Sequence, residues 1–304
     1  MIKDDANKQE KLIKKIYLFA GLLNFKAECD DFQLSKDTKI SLATKKEKAT
    51  IKKFKQFEIY PTRLFVVSTV KGFDEPSIPD SWDLFRVCEA LRLLKSETIG
   101  LGPQFSLEIP QDIGELEGNG DDVFIDTVPY FMKNDDIPLL RKIFDKLNRL
   151  EDGKNRQVNT AIFHMGFSYE HGFAYSPIDL MTAFESLYLS DVVELKYKLA
   201  IRASFLLGQS EKEREYYFTV LMKMYDVRSK LVHGSKPKME IKVGTEKLTL
   251  EQLILICREI LGKSILAFMN LDQKYTHKKL TEELLDQNVI ESGKLLAPCL
   301  AEIF

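Results

Sequence analysis

The chain of 304 residues has only four cysteines, and no two of them form a C-x-x-C pair. Such scattered cysteines fit neither a disulfide framework nor a zinc knuckle, and they are typical of reduced thiols in a cytosolic protein. The N-terminal stretch MIKDDANKQEKLIKKIYLFAGLLNF is charged, and its longest apolar run is too short for a signal peptide or a membrane span. We therefore expect a cytoplasmic protein with no membrane partner.

The sequence also lacks a strong net charge, because 44 Lys and Arg stand against 46 Asp and Glu. This balance excludes the overall basic field of many nucleic-acid-binding proteins, so any RNA or DNA site must be local. Residues 1–57 are rich in lysine, which we interpret as a solvated surface rather than a phosphate-binding arm. Residues 111–126 carry six acids and no base, but they lack the spacing of a calcium loop and predict a surface loop.

The first half of the chain mixes two types of pattern. KLIKKIYLFAGLL and SWDLFRVCEALRLLKSE have helical periodicity, whereas RLFVVSTV and QFSLEIP resemble strands. DDIPLLRKIFDKLNRL predicts an amphipathic helix, and EDGKNRQ after it is the best linker candidate. At 304 residues the chain is long enough for two domains, so we predict a smaller N-terminal α+β domain (1–152) and a C-terminal domain (153–304).

The second half predicts almost only helix. A first helix lies in TAIFHMGFSYEHGF, and a second is expected to open at Ser176-Pro177 with Asp179 in capping-box position. Two more helices are predicted, one in VVELKYKLAIRASFLLG, which ends at Gly208, and one in EREYYFTVLMKMYDVRSKLVHG. The last begins at Thr249, with its capping-box Gln252 three residues on. The predicted fold class is therefore mostly α, with a C-terminal helical bundle.

The helix of EREYYFTVLMKMYDVRSKLVHG carries Arg228 on its apolar side. On a helical wheel this arginine lies at the centre of an apolar stripe. The side chains of the stripe point within about 60° of one direction, and they are Tyr217, Leu221, Met224, Tyr225, Leu231 and Val232. A guanidinium directed at a bundle interior requires an anionic partner, either a carboxylate or a ligand phosphate. Glu185 and Arg202 continue the apolar stripes of two other helices, so a buried ionic network of these three residues is one interpretation.

His233 follows five residues after Arg228 and directly precedes Gly234, a typical helix-ending residue. On a straight helix the two side chains would point about 140° apart, so only unwinding at 232–234 would bring the imidazole beside the guanidinium. The histidine has a second interpretation, because a cation at a helix C-terminus is favourable with the helix dipole. From the residues alone both interpretations stay open.

Taken together, these segments resemble the HEPN superfamily, in particular its Apea-like branch. The resemblance rests on Ala183-Phe184-Glu185, on Arg202 ahead of Leu207-Gly208, and on the Tyr-x-x-Arg-Ser-x-aliphatic-aliphatic-His-Gly string that runs from Tyr225 to Gly234. It covers residues 155–270 approximately. The first half of the chain resembles no family that we can name.

The resemblance implies a metal-independent endoribonuclease without a cofactor, with Arg228 and His233 as the catalytic pair. It also implies a homodimer, because the motifs of two protomers line one cleft in this superfamily. The residue types suit the reaction. A ribose 2′-hydroxyl attacks the adjacent phosphate, a histidine moves protons near neutral pH, and an arginine stabilises the charge of the phosphorane.

Other residues have supporting places in this hypothesis. Ser229 follows the arginine where many active members have Asn, Asp or His, although serine is common in the Apea-like branch. Tyr225 lies almost one turn before Arg228 and either orients it or packs in the core, and Glu185 and Arg202 belong to the ionic network. Lys236, Lys238 and Lys242 are candidates for RNA contact, with a solvated loop as the simpler interpretation.

By family analogy the role would be antiviral defence by abortive infection, with cleavage of cellular RNA such as tRNA. Residues 1–152 would then act as a sensor or regulatory domain, answering to a trigger or regulatory protein. The alternatives are a catalytically silent HEPN module for dimerisation or RNA binding, a toxin held by a separate antitoxin, and a wholly structural helical protein. We expect no metal site, because His164, His171 and His277 have no metal-ligand spacing with one another.

Overall fold

The computed structural model describes residues 14–52, 63–73, 82–109, 129–151, 153–190, 194–238, 240–272 and 274–300. These residues are mostly helical, with a smaller share in strands, which confirms the prediction of a mostly α protein. The acidic stretch 111–126 and parts of the lysine-rich segment 1–57 lie outside the described residues. No helix in the described part of the chain is both long enough and apolar enough to cross a bilayer.

The N-terminal half contains seven strands, three helices and a 3₁₀ turn among its described residues. The elements are β1 (Lys14–Leu23), β2 (Phe25–Ala27), β3 (Asp31–Gln33), β4 (Thr38–Leu42), α1 (Lys45–Lys52), β5 (Phe65–Phe73), α2 (Trp82–Leu94), β6 (Gly100–Ile109), β7 (Tyr130–Met132), the 3₁₀ turn Asn134–Asp136 and α3 (Ile137–Leu147). Five strands form an antiparallel sheet in the order β3-β4-β5-β1-β6, while β2 pairs with β7 in parallel. The strands predicted in RLFVVSTV and QFSLEIP and the helices around α2 and α3 are confirmed.

The prediction of a helix in KLIKKIYLFAGLL is wrong, because residues from Lys14 onward form β1, which lies between β5 and β6 in the sheet. Leu18 and Ala20 face the main core, whereas Phe19 faces a second, smaller core that includes Ile51 of α1. Both faces of the strand are therefore buried, which accounts for the almost continuously apolar sequence of β1. Apolar periodicity alone cannot separate such a strand from a buried helix.

The C-terminal half is a helical bundle with one β-hairpin. Its elements are α4 (Arg156–Glu170), α5 (Gly172–Tyr188), α6 (Leu195–Leu207), α7 (Glu211–Val232), β8 (Glu240–Val243), β9 (Glu246–Thr249), α8 (Leu250–Leu271), α9 (His277–Lys279), the π-helical turn Leu280–Leu284, α10 (Leu285–Ile290) and α11 (Ala297–Leu300). The antiparallel hairpin β8–β9 was not predicted. The capping box at the start of α8 is confirmed, because Thr249 Oγ1 accepts from the Gln252 N–H at 3.2 Å.

The helix predicted to open at Ser176-Pro177 begins instead at Gly172, so that Pro177 lies inside α5. Gly172 adopts φ +66° and turns the chain between α4 and α5 within a single residue. Ser176 is fully buried and its hydroxyl donates to the Ser168 carbonyl at 2.6 Å, so it is not available as a cap. Asp179 likewise makes no capping box. Its carboxylate binds two histidines instead.

One hydrophobic core includes residues from both halves of the chain. Leu91 of α2 and Leu261 of α8 are both fully buried members of it. Within the bundle, α5 packs against α4, α6, α7 and α8, and the Tyr188 hydroxyl of α5 donates to Ser264 of α8 at 2.9 Å. The predicted linker EDGKNRQ lies between the end of α3 and the first turn of α4. The central position of α5 brings Glu185 next to the neighbouring helices.

Candidate functional site

The end of α7 is fixed by its backbone. Gly234 has φ +74°, a left-handed conformation that suits glycine. The Ser235 N–H donates to the Lys230 carbonyl at 2.8 Å and the Gly234 N–H to the Leu231 carbonyl at 3.0 Å, the two bonds of a Schellman motif. The predicted stop at Gly234 is confirmed. As a result, His233 occupies the C-cap position and is exposed.

Arg228 meets Glu185 across the interface between α7 and α5. Arg228 Nη2 lies 3.7 Å from Glu185 Oε2, and the two side chains are 27% and 22% exposed. This confirms the prediction that Glu185 approaches an arginine at ion-pair distance. Arg228 Nε and Glu185 Oε1 are buried and have no hydrogen-bond partner among the described residues. The pair therefore keeps unused hydrogen-bonding capacity next to its charges.

Tyr225 completes this cluster. The guanidinium carbon of Arg228 lies 5.6 Å from the centroid of the Tyr225 ring, within cation–π range. Burial raises the pKa of Tyr225, and the negative charge of Glu185 raises it further, while the charge of Arg228 acts in the opposite direction. The structure therefore brings together three of the predicted site residues, Glu185, Tyr225 and Arg228.

Arg228 lies at the edge of the buried face of α7 rather than at its centre. The buried side chains of this helix are Val220, Leu221, Met224 and Val227. Val232, which was predicted to share the apolar stripe, is 53% exposed. A helical wheel places side chains by angle alone and does not record where the neighbouring helices end, so it cannot predict that the last turn is exposed.

Arg202 has a different partner from the one that was predicted. Its guanidinium donates to both carboxylate oxygens of Asp286 on α10, at 2.7 and 2.8 Å, and to the Tyr188 carbonyl at 2.7 Å. The Arg202 side chain is only 3% exposed, whereas that of Asp286 is 51% exposed. The prediction of one network linking Glu185, Arg202 and Arg228 is therefore wrong for Arg202. Sequence reasoning missed Asp286, since 84 positions separate it from its partner and no local pattern marks it.

His233 does not reach Arg228 within one chain. The helix continues through Val232, so the unwinding expected at 232–234 starts too late to turn the imidazole toward the guanidinium. No hydrogen bond or ion pair joins these two side chains in the described ranges. Ser229 is half-buried and its carbonyl accepts the His233 N–H at 3.1 Å.

The three candidate lysines are all exposed near the end of α7. Lys236 and Lys238 lie in the loop after Gly234, and Lys242 lies on the strand β8 rather than in a loop. Glu240 is exposed on the same strand as Lys242, so the charges in this region are mixed.

A second cluster of titratable groups was not predicted. His164 Nδ1 and His171 Nδ1 lie 3.2 and 2.8 Å from the two carboxylate oxygens of Asp179. The turn at Gly172 folds α5 back along α4 and so brings the three residues together. The spacing of two histidines and one aspartate along the sequence does not reveal this contact, because it depends on where the first helix ends.

No family model, no curated protein and no solved structure matches this chain.

Proposed function

We propose that this protein is a metal-independent endoribonuclease of the HEPN type, with Arg228 and His233 as its catalytic residues. The observation that carries the proposal is the arrangement at the end of α7. A guanidinium is positioned by Glu185 and Tyr225, and an exposed imidazole follows on the same helix. A positioned cation and a proton-transfer group are the two functions that RNA cleavage without a metal requires.

The reaction is an internal transesterification of RNA. The ribose 2′-oxygen attacks the adjacent phosphorus and its proton passes to the His233 imidazole. The bond from phosphorus to the 5′-oxygen then breaks, and that oxygen takes a proton from the imidazolium. The products are a 2′,3′-cyclic phosphate and a 5′-hydroxyl, and no water is consumed.

Arg228 has the role of stabilising the additional negative charge of the phosphorane. A guanidinium can bind two phosphate oxygens at once, which a lysine ammonium cannot do in the same geometry. Glu185 Oε2 lies 3.7 Å from this guanidinium, whose carbon lies 5.6 Å from the centroid of the Tyr225 ring. Their proposed role is to orient Arg228, while Ser229 anchors the C-cap turn through its carbonyl. The exposed Lys236, Lys238 and Lys242 would contact the RNA backbone.

The separation of the two proposed catalytic residues along one helix supports the proposal of a homodimer. Five helical positions place His233 about 7.5 Å further along the axis and about 140° around it from Arg228. This offset directs the two side chains of one chain to different sides of the helix. A second copy would supply the missing partner and form a composite cleft.

The biological role rests on resemblance alone. A cytoplasmic effector of antiviral defence would cleave cellular RNA such as tRNA, and residues 1–152 would restrain it until a trigger acts. The competing hypothesis is a silent HEPN module or a toxin with its own antitoxin. The pairing of Arg228 with Glu185 is the observation that favours a silent module, because it would also suit a purely structural charge pair.

The test is RNA cleavage by the purified full-length protein in excess EDTA, with analysis of the product ends. We expect cyclic-phosphate ends with the unmodified protein, and a loss of about 100-fold or more in Arg228→Ala and His233→Ala. His171→Ala is the matched control, since this histidine is also exposed. Cleavage that persists in both variants would show that the assignment is wrong, and bound but uncleaved RNA would favour the silent module.

Mixing the two inactive variants tests the composite cleft. If Arg228 of one protomer acts with His233 of the other, random subunit exchange restores about a quarter of the activity, since half of the dimers are mixed and each has one intact pair. If both residues act within one chain, the mixture stays inactive.

A further inference from the structure

Arg214, in the first turn of α7, has a guanidinium that is fixed in place but only partly used. Its Nε donates to the Gly208 carbonyl at 3.0 Å, and its guanidinium carbon lies 5.0 Å from the centroid of the Phe205 ring. Its two Nη nitrogens have no hydrogen bond or ion pair with any residue that the structure describes. An arginine held in this way is prepared to bind an anion without first losing side-chain freedom.

Arg214 lines two neighbouring cavities of about 450 and 520 Å³. Both cavities also share Phe205 and Ser292, so they are two lobes of one groove between α6, α7 and the segment before α11. Volumes of this size fall within the roughly 300–1,000 Å³ range of small-ligand sites. The groove is therefore large enough for one nucleotide.

The two lobes differ in chemistry. Among the described residues, the first lobe is lined by two basic side chains, Arg214 and Lys294, and by no acidic one, which suits a phosphate. The second is lined by Tyr197 and Phe218, whose rings meet edge to face at 5.6 Å, and Tyr197 is 52% exposed. Exposed aromatic rings are the usual stacking surface for the bases of single-stranded nucleic acids.

Glu211 and Glu215 line only the second lobe. Their carboxylates would repel a phosphate there but can accept hydrogen bonds from the amino groups of adenine, cytosine or guanine. The charges therefore fix one orientation, with the phosphate near Lys294 and the base near Tyr197.

The walls of the groove are already in place. The buried Asn288 side chain donates to the Phe205 carbonyl at 3.2 Å and accepts the Leu296 N–H at 3.0 Å. Gly293 has φ +81°, and a Cβ at this position would lie 2.8 Å from the Phe205 carbonyl oxygen. These contacts hold the segment that carries Ser292 and Lys294 against α6. A ligand would not have to order this wall on binding.

Arg214 and Arg228 lie on similar sides of the same helix. Fourteen positions separate them, which corresponds to about 21 Å along the axis and about 40° around it. A single strand that follows this side of α7 would pass both arginines. We propose that the Arg214 groove binds one nucleotide of a single-stranded RNA, with its phosphate on Arg214 and Lys294 and its base on Tyr197 and Phe218. This inference rests on the proposed function and defines its substrate as single-stranded RNA.

The experiment measures binding of a short, fluorescently labelled 2′-O-methyl RNA strand to the full-length protein. This strand lacks the attacking hydroxyl, so binding is observed without cleavage. We expect Tyr197→Ala and Lys294→Ala each to weaken binding by about 10-fold, the usual effect of losing one stacking surface or one phosphate contact. Both side chains are exposed, so neither change removes part of the core.

Matched controls are Tyr175→Ala and Lys278→Ala, which remove an exposed tyrosine and an exposed lysine away from the groove. We expect both controls to bind as the unmodified protein does. Equal weakening in controls and groove variants, or no binding of the strand, would overturn the inference. Competition by a free nucleoside monophosphate as strong as that by the strand would also overturn it, because the groove would then be a mononucleotide site.

The two proposals fail in different ways. Binding that depends on Tyr197 and Lys294, without cleavage of ordinary RNA, would contradict the nuclease and leave the groove intact. Cleavage that depends on Arg228 and His233, with binding indifferent to the groove variants, would contradict only the groove.

Discussion

Arg228 and Glu185 join α7 to α5 through side chains that approach to 3.7 Å at the edge of the bundle. Both are mostly buried, and each keeps a buried polar atom without a partner in the described part of the chain. A charge pair with such unbonded buried atoms is a weak structural contact, whereas in the proposed reaction its guanidinium acts on a phosphate. The effect of this pair on the free energy of unfolding can therefore be measured separately from its effect on RNA cleavage.

Replacing Glu185 by glutamine should test the structural part of this pair. We expect Glu185→Gln to lower the free energy of unfolding by about 1 kcal/mol, because a largely buried guanidinium loses its counter-charge. The pKa of Tyr225 should fall at the same time, since the Glu185 charge helps to raise it. Urea unfolding and ultraviolet titration of the tyrosines measure the two effects. The exposed Glu211→Gln should change neither, and an unchanged Tyr225 titration would contradict the cluster.

The Arg202–Asp286 pair should matter more for stability. We expect Asp286→Asn to lower the free energy of unfolding by about 2 kcal/mol, because the buried Arg202 loses its counter-charge and keeps only neutral acceptors. The amides of α10 should also exchange faster with deuterium. Glu282→Gln is the control, because it removes an exposed pair at 3.9 Å and should cost less than about 0.5 kcal/mol. If both changes lowered the free energy of unfolding equally, burial of Arg202 would not be what makes its ion pair contribute more.

Gly234→Ala should test the backbone that presents His233. A Cβ at this position would meet no atom of the described residues within 4 Å, so the expected penalty is that of φ +74° for an alanine. We expect a loss of about 1 kcal/mol in the free energy of unfolding. Gly153→Ala is a matched control, because its Cβ would also meet no described atom within 4 Å while its φ is not left-handed. We expect it to be neutral or slightly stabilising. Thermal or urea unfolding of both variants measures this difference. A loss in Gly234→Ala alone indicates backbone strain, and an equal loss in both variants would contradict it.

Asp272 should give the protein a measurable dependence of stability on pH. Burial raises the pKa of Asp272 to about 6, although a hydrogen bond from Asn155 acts against the shift. The folded state thus holds this proton more tightly than the unfolded chain does. Its contribution to stability is present below the ordinary aspartate pKa of about 3.9 and is lost as the pH rises through about 6.

Asp272→Asn should abolish that loss. We expect a gain of about 1 kcal/mol at neutral pH, after allowance for solvent around a side chain that is not fully buried. Urea unfolding across this pH range, compared with the exposed Asp145→Asn, measures it. Burial lowers the pKa of His277, so this residue contributes the opposite slope, in both variants alike. A slope unchanged by Asp272→Asn would show that another group is responsible.

Several elements were predictable because local interactions define them. The buried positions of α3, Leu140, Ile143, Phe144 and Leu147, repeat at helical spacing around a polar opposite face. The capping box at Thr249 and the stop at Gly234 likewise involve residues within a few positions of one another. Such signals are complete within a short window of sequence, so they need no knowledge of the rest of the fold.

Other features depended on distant parts of the chain. β1 became a strand because β5 and β6 supply hydrogen-bond partners on both of its edges, which its apolar run cannot indicate. Hairpin β8–β9 was missed because each strand is only four residues long. The candidate site divides in the same way: Arg228 and Gly234 were marked locally, whereas the exposure of His233 depends on where the bundle ends.

The sequence by itself determined that the C-terminal half is a bundle of capped, amphipathic helices and that two arginines in it require anionic partners. Those are consequences of periodicity and of the free-energy cost of burying a charge. Only the tertiary structure decided that Arg228 pairs with Glu185 while Arg202 pairs with Asp286. The choice depends on which carboxylate the packing of α5, α6, α7 and α10 brings within a few ångströms, and distance in space is not encoded in the spacing of residues along the chain.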